Sequence, residues 1–477
     1  MLMAGTASLT QLPDFALGAI RVSPARRVLE GEQGPVTVEP LVMKLLVELS
    51  RNAGRVVTRR TIFDLCWGAS SVGDDSLNRI VAALRKALDE AGEGLVTVDT
   101  VPRTGYLLRL HDAPGAEPTG AGLHSVQRAV DDGLASIWHG LPQPDNLRLE
   151  ALRRAVQAEP DNAAAWGMLA LLARYAAEYA EPPENSEYVA ECQASAARAL
   201  ALNPSEATAK VALATIAPLF GRWHDARRRL GAVAQDMPDC QVAVHEFAIT
   251  EMATGRVRAA RTLIDGLIEQ IPVAACLHYK SAYQNWSDGN LVRMDHVADQ
   301  AVQLWPTHPA VWTARFWTLA FTDRVQAALR MLDDAVRPQI PAPFLGFYRA
   351  VATARASGDP AALEQAAAAS FEMAGGGPGR AIAALFALGL LDRPREQLAV
   401  ASAYYLREGP SPVPVRRIEG EPSINDQHRR VTQILFTPAF AEAREHPEFM
   451  RLCDRIGLSD YWQSTGSTPD FLRRPGE

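Results

Sequence analysis

Apolar positions change period several times over the first 110 residues of the chain, whereas those after about position 125 keep to one. Phe15 to Val22, Arg27 to Leu29 and Val36 to Val38 read as short strands, with Pro24 breaking the first from the second, and predict a small N-terminal sheet. From Glu39 to Asn52 the pattern becomes helical. Leu41, Val42, Leu45, Leu46 and Leu49 fall on a 3.6-residue period that Asn52-Ala53-Gly54 closes. A second helix is predicted over Thr58 to Cys66, with Thr58 as its cap. A third runs from the capping oxygens of Asp74, Asp75 and Ser76 to about Asp89, with Leu77, Ile80, Val81, Leu84 and Leu88 on one face. Its other face carries Asn78, Arg79, Ala82, Arg85 and Lys86. Val96 to Val101 and Tyr106 to Leu110 are β-rich runs joined by Pro102-Arg103-Thr104-Gly105, a hairpin with a cation at its tip.

Three helices followed by such a hairpin make a winged helix, in which the third helix enters the major groove of DNA and the wing reaches the neighbouring backbone or minor groove. Several separated segments carry a family resemblance in order: Asn52 to Arg59, Trp67-Gly68, Asp75-Ser76-Leu77-Asn78-Arg79 with Leu84-Arg85-Lys86-Ala87-Leu88, and Thr100 to Tyr106. With these, residues 12–110 resemble the OmpR/PhoB-type effector domain, nearer to its CadC/ToxR-like branch than to response regulators. Two departures are expected to alter signalling: no receiver domain precedes this segment, and the transmembrane helix of the CadC/ToxR-like branch is missing. Ala82 and Ala83 replace the longer polar side chains common in the family, so its base preferences are not carried over.

Residues 111–124, with Pro114, Gly115, Pro118, Gly120 and Gly122, read as a linker. Beyond it the chain is Ala-rich and helical. Pro204, Pro238, Pro272 and Pro306 recur every 34 residues, as do Gly221, Gly255 and Gly289, with Asp323 at the next such place. That period is the tetratricopeptide repeat. Small residues recur at the close-packing position of the first helix (Ala170, Ala214, Ala248, Ala282) and of the second (Ala226, Ala260), while Trp166 and Trp312 stand at the aromatic position. An extra ten residues or so between Pro160 and Pro204 are expected as an insertion over Tyr179 to Ser186. The predicted architecture is therefore multidomain: an N-terminal α+β winged helix over 12–110, the linker, an all-α tetratricopeptide-repeat solenoid over 125–340, and further helical repeats with a C-terminal capping segment over 341–477.

Charge changes the picture only slightly. The chain carries a formal net charge of -7. Residues 1–110 hold 13 Lys and Arg against 12 Asp and Glu, so the placement of cations must matter more than their sum. The acidic remainder suits protein partners better than DNA. No apolar run is long enough to span a membrane, no secretory signal pattern opens the chain, and the five cysteines lie far apart; a cytoplasmic location with reduced thiols is the expectation. No metal-spaced histidine cluster, phosphate-binding loop or nucleophile elbow is present, so neither catalysis nor a metal or cofactor is expected.

The remaining chemistry is that of duplex recognition. Asn78 and Arg79, in the first turn of the third helix, are placed for base edges, Asn for adenine and Arg for guanine. Arg85 and Lys86 are expected at phosphates, Arg103 and the adjoining Thr104 at the minor groove or backbone, and Arg59 at a phosphate beside the second helix. In the resembling family the loop Gly68 to Gly73 is where RNA polymerase is touched. The expected function is a sequence-specific DNA-binding transcription regulator with double-stranded promoter DNA as partner, in which the repeat region senses, oligomerises or docks a protein. The alternative is an interaction scaffold whose winged helix no longer binds DNA.

Overall fold

The computed structural model describes residues 15–31, 33–51, 56–59, 61–63, 74–92, 94–101, 105–110, 121–140, 146–180, 183–334, 338, 340–406, 408 and 432–472. Two units result, Met1–Thr119 and Gly120–Glu477. In the first, the short alternating runs become an antiparallel meander, β1 (Phe15–Leu17), β2 (Ile20–Ser23), β3 (Val28–Gly31) and β4 (Gly34–Thr37). Its inward side chains, Leu17, Ile20, Val22 and Leu29, are buried against the helix Pro40–Arg51 and the helix Asp74–Ala91. Between those helices lies β5 (Val56–Thr58), after which residue 59 and residues 61–63 are helical. Thr58 Oγ1 accepts from the Thr61 amide at 3.1 Å, the cap its sequence position predicts.

The hairpin is β6 (Val96–Val101) and β7 (Gly105–Leu110), paired from Val96 opposite Leu110 to Val101 opposite Gly105. β5 joins the other edge of β7, giving the order β5-β7-β6. Gly105 is required where β7 meets β5, because a Cβ there would fall on the Val57 carbonyl oxygen. The hairpin turn 102–104 lies outside the described residues.

The second unit is a stack of antiparallel helix pairs. Helices start at Ala207, Gln241, Ala275 and Pro309, and their partners at Trp223, Val257, Leu291 and Val325, each set at intervals of 34 residues. The turn inside each pair needs a left-handed residue. Gly221, Gly255 and Gly289 supply φ of 71°, 83° and 74°, and Asp323, at the next periodic place, is held at 56°. Gly358 (66°) and Asp392 (55°) continue the series, so the repeat runs on through Ala342–Ser357 with Pro360–Ala374 and Pro378–Leu390 with Pro394–Leu406. The small residues at packing positions are buried as stacking requires: Ala170, Ala248, Ala260 and Ala282 are wholly inaccessible. Residues 181–182 of the expected insertion lie outside the described residues, and the helices beside them, Ala163–Tyr179 and Glu184–Leu202, run to 17 and 19 residues, against 13 and 14 for Gln241–Ala253 and Val257–Gln270.

Ion pairs tie successive pairs together. Glu251 is buried and held by Arg227 and Arg256, each at 2.5 Å. Asp295 accepts from Arg315 at 2.5 Å and Arg324 at 2.8 Å.

Residues 432–472 pack against the last helix pair, where Gln397 Nε2 donates to the Ala439 carbonyl at 2.8 Å, and also reach back to the third and fourth pairs. Trp223 Nε1 donates to the Ile456 carbonyl at 2.8 Å, Trp462 Nε1 to the Thr254 carbonyl at 2.9 Å, and the Asp470 amide to the Gly255 carbonyl at 2.9 Å. The buried rings of Phe436, Phe440, Phe449, Tyr461 and Trp462 join one core with Trp223, Trp286 and Trp317. At the other end, the helix Ala121–His139 reaches forward: His308 Nε2 bonds the His139 carbonyl at 2.9 Å, and Tyr279 donates to the Gly140 carbonyl at 3.3 Å.

His308 also caps its own helix, its Nδ1 accepting from the Val311 amide at 3.3 Å. Such an Nδ1 must stay unprotonated, and burial pushes the His308 pKa down to about 4. Since the folded pKa lies below the unfolded value of 6.5, the stability His308 contributes is complete above pH 6.5 and is lost as pH falls toward 4, by up to about 3 kcal/mol. Melting followed by tryptophan fluorescence, which reports on the second unit because Trp67 is the one tryptophan outside it, should show the midpoint dropping from pH 7 to pH 5. His308→Asn, which keeps a capping oxygen, should flatten that drop; an unchanged pH dependence would count against His308.

Candidate nucleic-acid interface

The helix Asp74–Ala91 presents two faces. Leu77, Val81, Leu84, Leu88 and Ala91 are almost fully buried, and Ile80 and Ala87 nearly so, which turns Asn78, Arg79, Ala82, Ala83 and Lys86 outward. Charge is graded along the exposed side, from Arg79 and Lys86 to Asp89 and Glu90 at the C-terminal end. A polyanion is therefore favoured over the stretch from Arg79 to Lys86. Arg79 has no hydrogen-bond or ion-pair partner among the described residues. Lys86 is 78% exposed and rests 3.6 Å from Glu90, an exposed i,i+4 contact too weak to hold it away from a phosphate.

Three of the predicted contact residues, Arg85, Asn78 and Arg59, have partners within the domain. Arg85 Nε donates to the Val98 carbonyl at 2.7 Å and its Nη2 to Thr100 Oγ1 at 2.8 Å, so this cation clips the helix to β6. Asn78 Oδ1 accepts from Tyr106 Oη at 3.0 Å and from Arg59 Nη2 at 3.4 Å, while Arg59 Nη1 donates to Tyr106 Oη at 3.1 Å and its guanidinium lies 5.6 Å from the centre of the Tyr106 ring. Reading adenine would need both Asn78 Oδ1 and Nδ2; the oxygen is already engaged. Asn78, Arg59 and Tyr106 form one polar knot binding the helix, the start of the second helix and β7.

The structure thus brings Asn78, Arg79, Arg85 and Lys86 onto one helix with Arg59 beside its first turn. Arg103 and Thr104, like Trp67-Gly68 and the loop 68–73, lie outside the described residues. Tyr106 is the functional-site residue that sequence reasoning passed over. Its ring is 2% exposed, and a buried tyrosine hydroxyl in a strand must find a polar partner, which is the signal that could have pointed to it.

The family described as "Transcriptional regulatory protein, C terminal" matches residues 32–108. The sensory transduction protein RegX3 of Mycolicibacterium smegmatis is 37% identical over 92 residues, which are 19% of this chain and 40% of that protein. The transcriptional activator CadC of Escherichia coli is 30% identical over 99 residues, 20% of this chain and 19% of its own length. The chain therefore spans well under half of either relative. Among solved structures, the DNA-binding domain of E. coli CadC aligns with 22% of this chain and 95% of its own at 28% identity and a TM-score of 0.19; yeast Tom70 aligns with 89% of this chain and 84% of its own at 11% identity and a TM-score of 0.33.

Removing the Tyr106 hydroxyl leaves Asn78 Oδ1 with one donor fewer, at a cost of about 1 kcal/mol. Tyr106→Phe should keep the fold yet speed amide hydrogen exchange in β7, and Gly105→Ala should abolish protection across β5 and β7 altogether. Parental exchange rates in Gly105→Ala would contradict the close approach of those strands.

Proposed function

We propose that this chain, whose first unit carries an OmpR/PhoB-type transcriptional-regulator domain, binds promoter DNA by laying the exposed side of the helix Asp74–Ala91 in the major groove, while its tetratricopeptide-repeat unit receives the regulating signal. What supports the reading most is that side itself: Arg79 in the second turn, without a partner among the described residues, the small residues Ala82 and Ala83 behind it, and Lys86 a turn further on. Small side chains let the helix sit deep, and a methyl group there matches the methyl of thymine. Base reading falls to Arg79, with guanine as its natural partner, and to Ala82 and Ala83. Lys86 neutralises a phosphate.

Asn78, Arg59 and Arg85 act in this reading as positioning residues. They fix the helix against the wing. Arg103 and Thr104 at the wing tip supply the second grip on the duplex. RNA polymerase is a candidate partner through the loop 68–73. The repeat unit, which among the described residues has no helix long and apolar enough to cross a membrane, takes the role of sensor or protein-docking platform rather than of an enzyme.

Arg79→Ala should cost about 1 to 3 kcal/mol on the preferred operator and flatten base discrimination at one position, whereas Lys86→Ala should weaken all sequences alike and reduce the salt slope by about 1. Genome-wide footprinting supplies the operator, and a salt titration of parent and variants gives the slopes. Parental affinity in the double variant would refute the assignment. An absence of duplex binding even at low salt would favour instead the scaffold reading, in which the winged helix is a protein-docking module.

A further inference from the structure

Where residues 432–472 meet the stack they leave a cavity of about 450 Å³. Its stack side lies at the start of the helix Val257–Gln270 and the end of the helix Ala275–Ser287, with Arg258 and Asp288; its other side is the C-terminal segment, with Arg444, Glu445, Phe471 and Leu472. Most of the charges here are matched. Arg258 Nε donates to Asp288 at 2.9 Å, Arg261 stands 3.1 Å from the same carboxylate, and Asp470 Oδ2 accepts from the Arg258 amide at 2.8 Å.

Arg444 and Glu445 are the exceptions. Arg444 is half-buried and spends only Nη1 on the protein, donating to the carbonyls of Leu435 at 3.0 Å and Thr437 at 2.7 Å. Its Nε and Nη2 have no hydrogen-bond partner among the described residues, yet neither is sealed from solvent. Burial pulls the Arg444 pKa down to about 10, as expected of a guanidinium taken from water without a matching anion. Glu445 is exposed, and its carboxylate makes no ion pair or hydrogen bond among the described residues. Beside this open pair of opposite charges lies apolar surface: the guanidinium is 5.6 Å from the centre of the partly exposed Phe471 ring, and Leu472 is 53% exposed.

We propose that this cavity binds a free α-amino acid with an apolar side chain, its carboxylate on Nε and Nη2 of Arg444, its ammonium facing Glu445 and its side chain against Phe471 and Leu472. Nε and Nη2 share one edge of the guanidinium, the fork that takes a carboxylate through two parallel bonds. The lining holds two cations against three carboxylates, so a doubly charged anion such as a phosphate ester is repelled where a zwitterion is not. An occupant would touch both walls and so join the C-terminal segment to the fourth and fifth pairs. As the signal of the repeat unit such a ligand rests on the sensing role proposed above; its binding is measured without DNA, so the two readings fail separately.

L-leucine and L-phenylalanine serve as probes, with leucinamide lacking the carboxylate and 4-methylpentanoate lacking the ammonium. Calorimetric titration of the full chain at neutral pH should give one saturable site for an amino acid, roughly tenfold tighter than for either truncated analogue, since each loses a bond to a charged group. Glu445→Gln removes an exposed carboxylate that holds nothing else, and should bring L-leucine and 4-methylpentanoate to about equal affinity with an unchanged melting midpoint. Arg444→Lys keeps the charge but not the fork, and should weaken both amino acids roughly tenfold. Ala441 is exposed on the lining, so Ala441→Trp fills the cavity from outside the core and should abolish binding in a chain that still folds. No saturable binding of either amino acid by the parent, or binding that Ala441→Trp leaves intact, overturns the proposal. Parental affinity in Arg444→Lys overturns the carboxylate's place, and a preference for L-leucine over 4-methylpentanoate that survives Glu445→Gln overturns the ammonium's.

Discussion

Two antiparallel helices expose more apolar surface than they can hide in each other, and the whole second unit follows from that excess. Each pair covers its neighbour, which demands small residues where backbones approach and a left-handed residue where the chain reverses. The buried alanines at 170, 248, 260 and 282 and the periodic positive φ values meet those demands. Stacking cannot satisfy the ends or the inner surface, and here the chain's own segments do so. The helix Ala121–His139 is pinned by His308 and Tyr279, and residues 432–472 fill the region beside Trp223, Trp286 and Trp317.

The first unit solves a different problem with fewer residues. On the proposed reading, a helix that probes DNA must be held firmly while most of one side stays bare. Its buried face supplies most of the hold, but direction is set by polar clips, Arg85 to β6 and the knot of Asn78, Arg59 and Tyr106. The cost is that side chains which look like readers in the sequence are partly consumed in holding the reader still. What remains outermost, Arg79 with Ala82, Ala83 and Lys86, is chemically sparse, and a sparse surface leans on close fit.

Legibility followed the range of the forces involved. Local periodicity announced the helix at 74–91 and the β-rich runs of the meander, because burial on one face leaves a pattern in adjacent positions, but it read β1 and β2 as the single run Phe15 to Val22 and missed the turn at Gly18, whose φ is 63°. The 34-residue period was plain where proline and glycine mark both turns; it faded where Asp323 and Asp392 took the glycine place and helix starts slipped, although φ stayed positive there. Arg85 read as a free cation because its partners, Val98 and Thr100, lie 13 and 15 residues away in a strand whose position the sequence does not disclose. The same holds for Tyr106 with Arg59, 47 residues apart. The return of residues 432–472 left no local trace, since the bond from Trp223 to Ile456 spans 233 residues.

That last span has a kinetic meaning. Helix pairs form from neighbours and need little loop closure, so they assemble early and quickly, whereas a contact over such a distance must wait for the intervening chain to be ordered. During synthesis the third and fourth pairs emerge long before residues 432–472, and Trp223 and the rings around it stand uncovered in that interval. The nascent protein therefore passes through a stage in which its largest aromatic core is open to water, the stage at which chaperones and wrong partners compete for it.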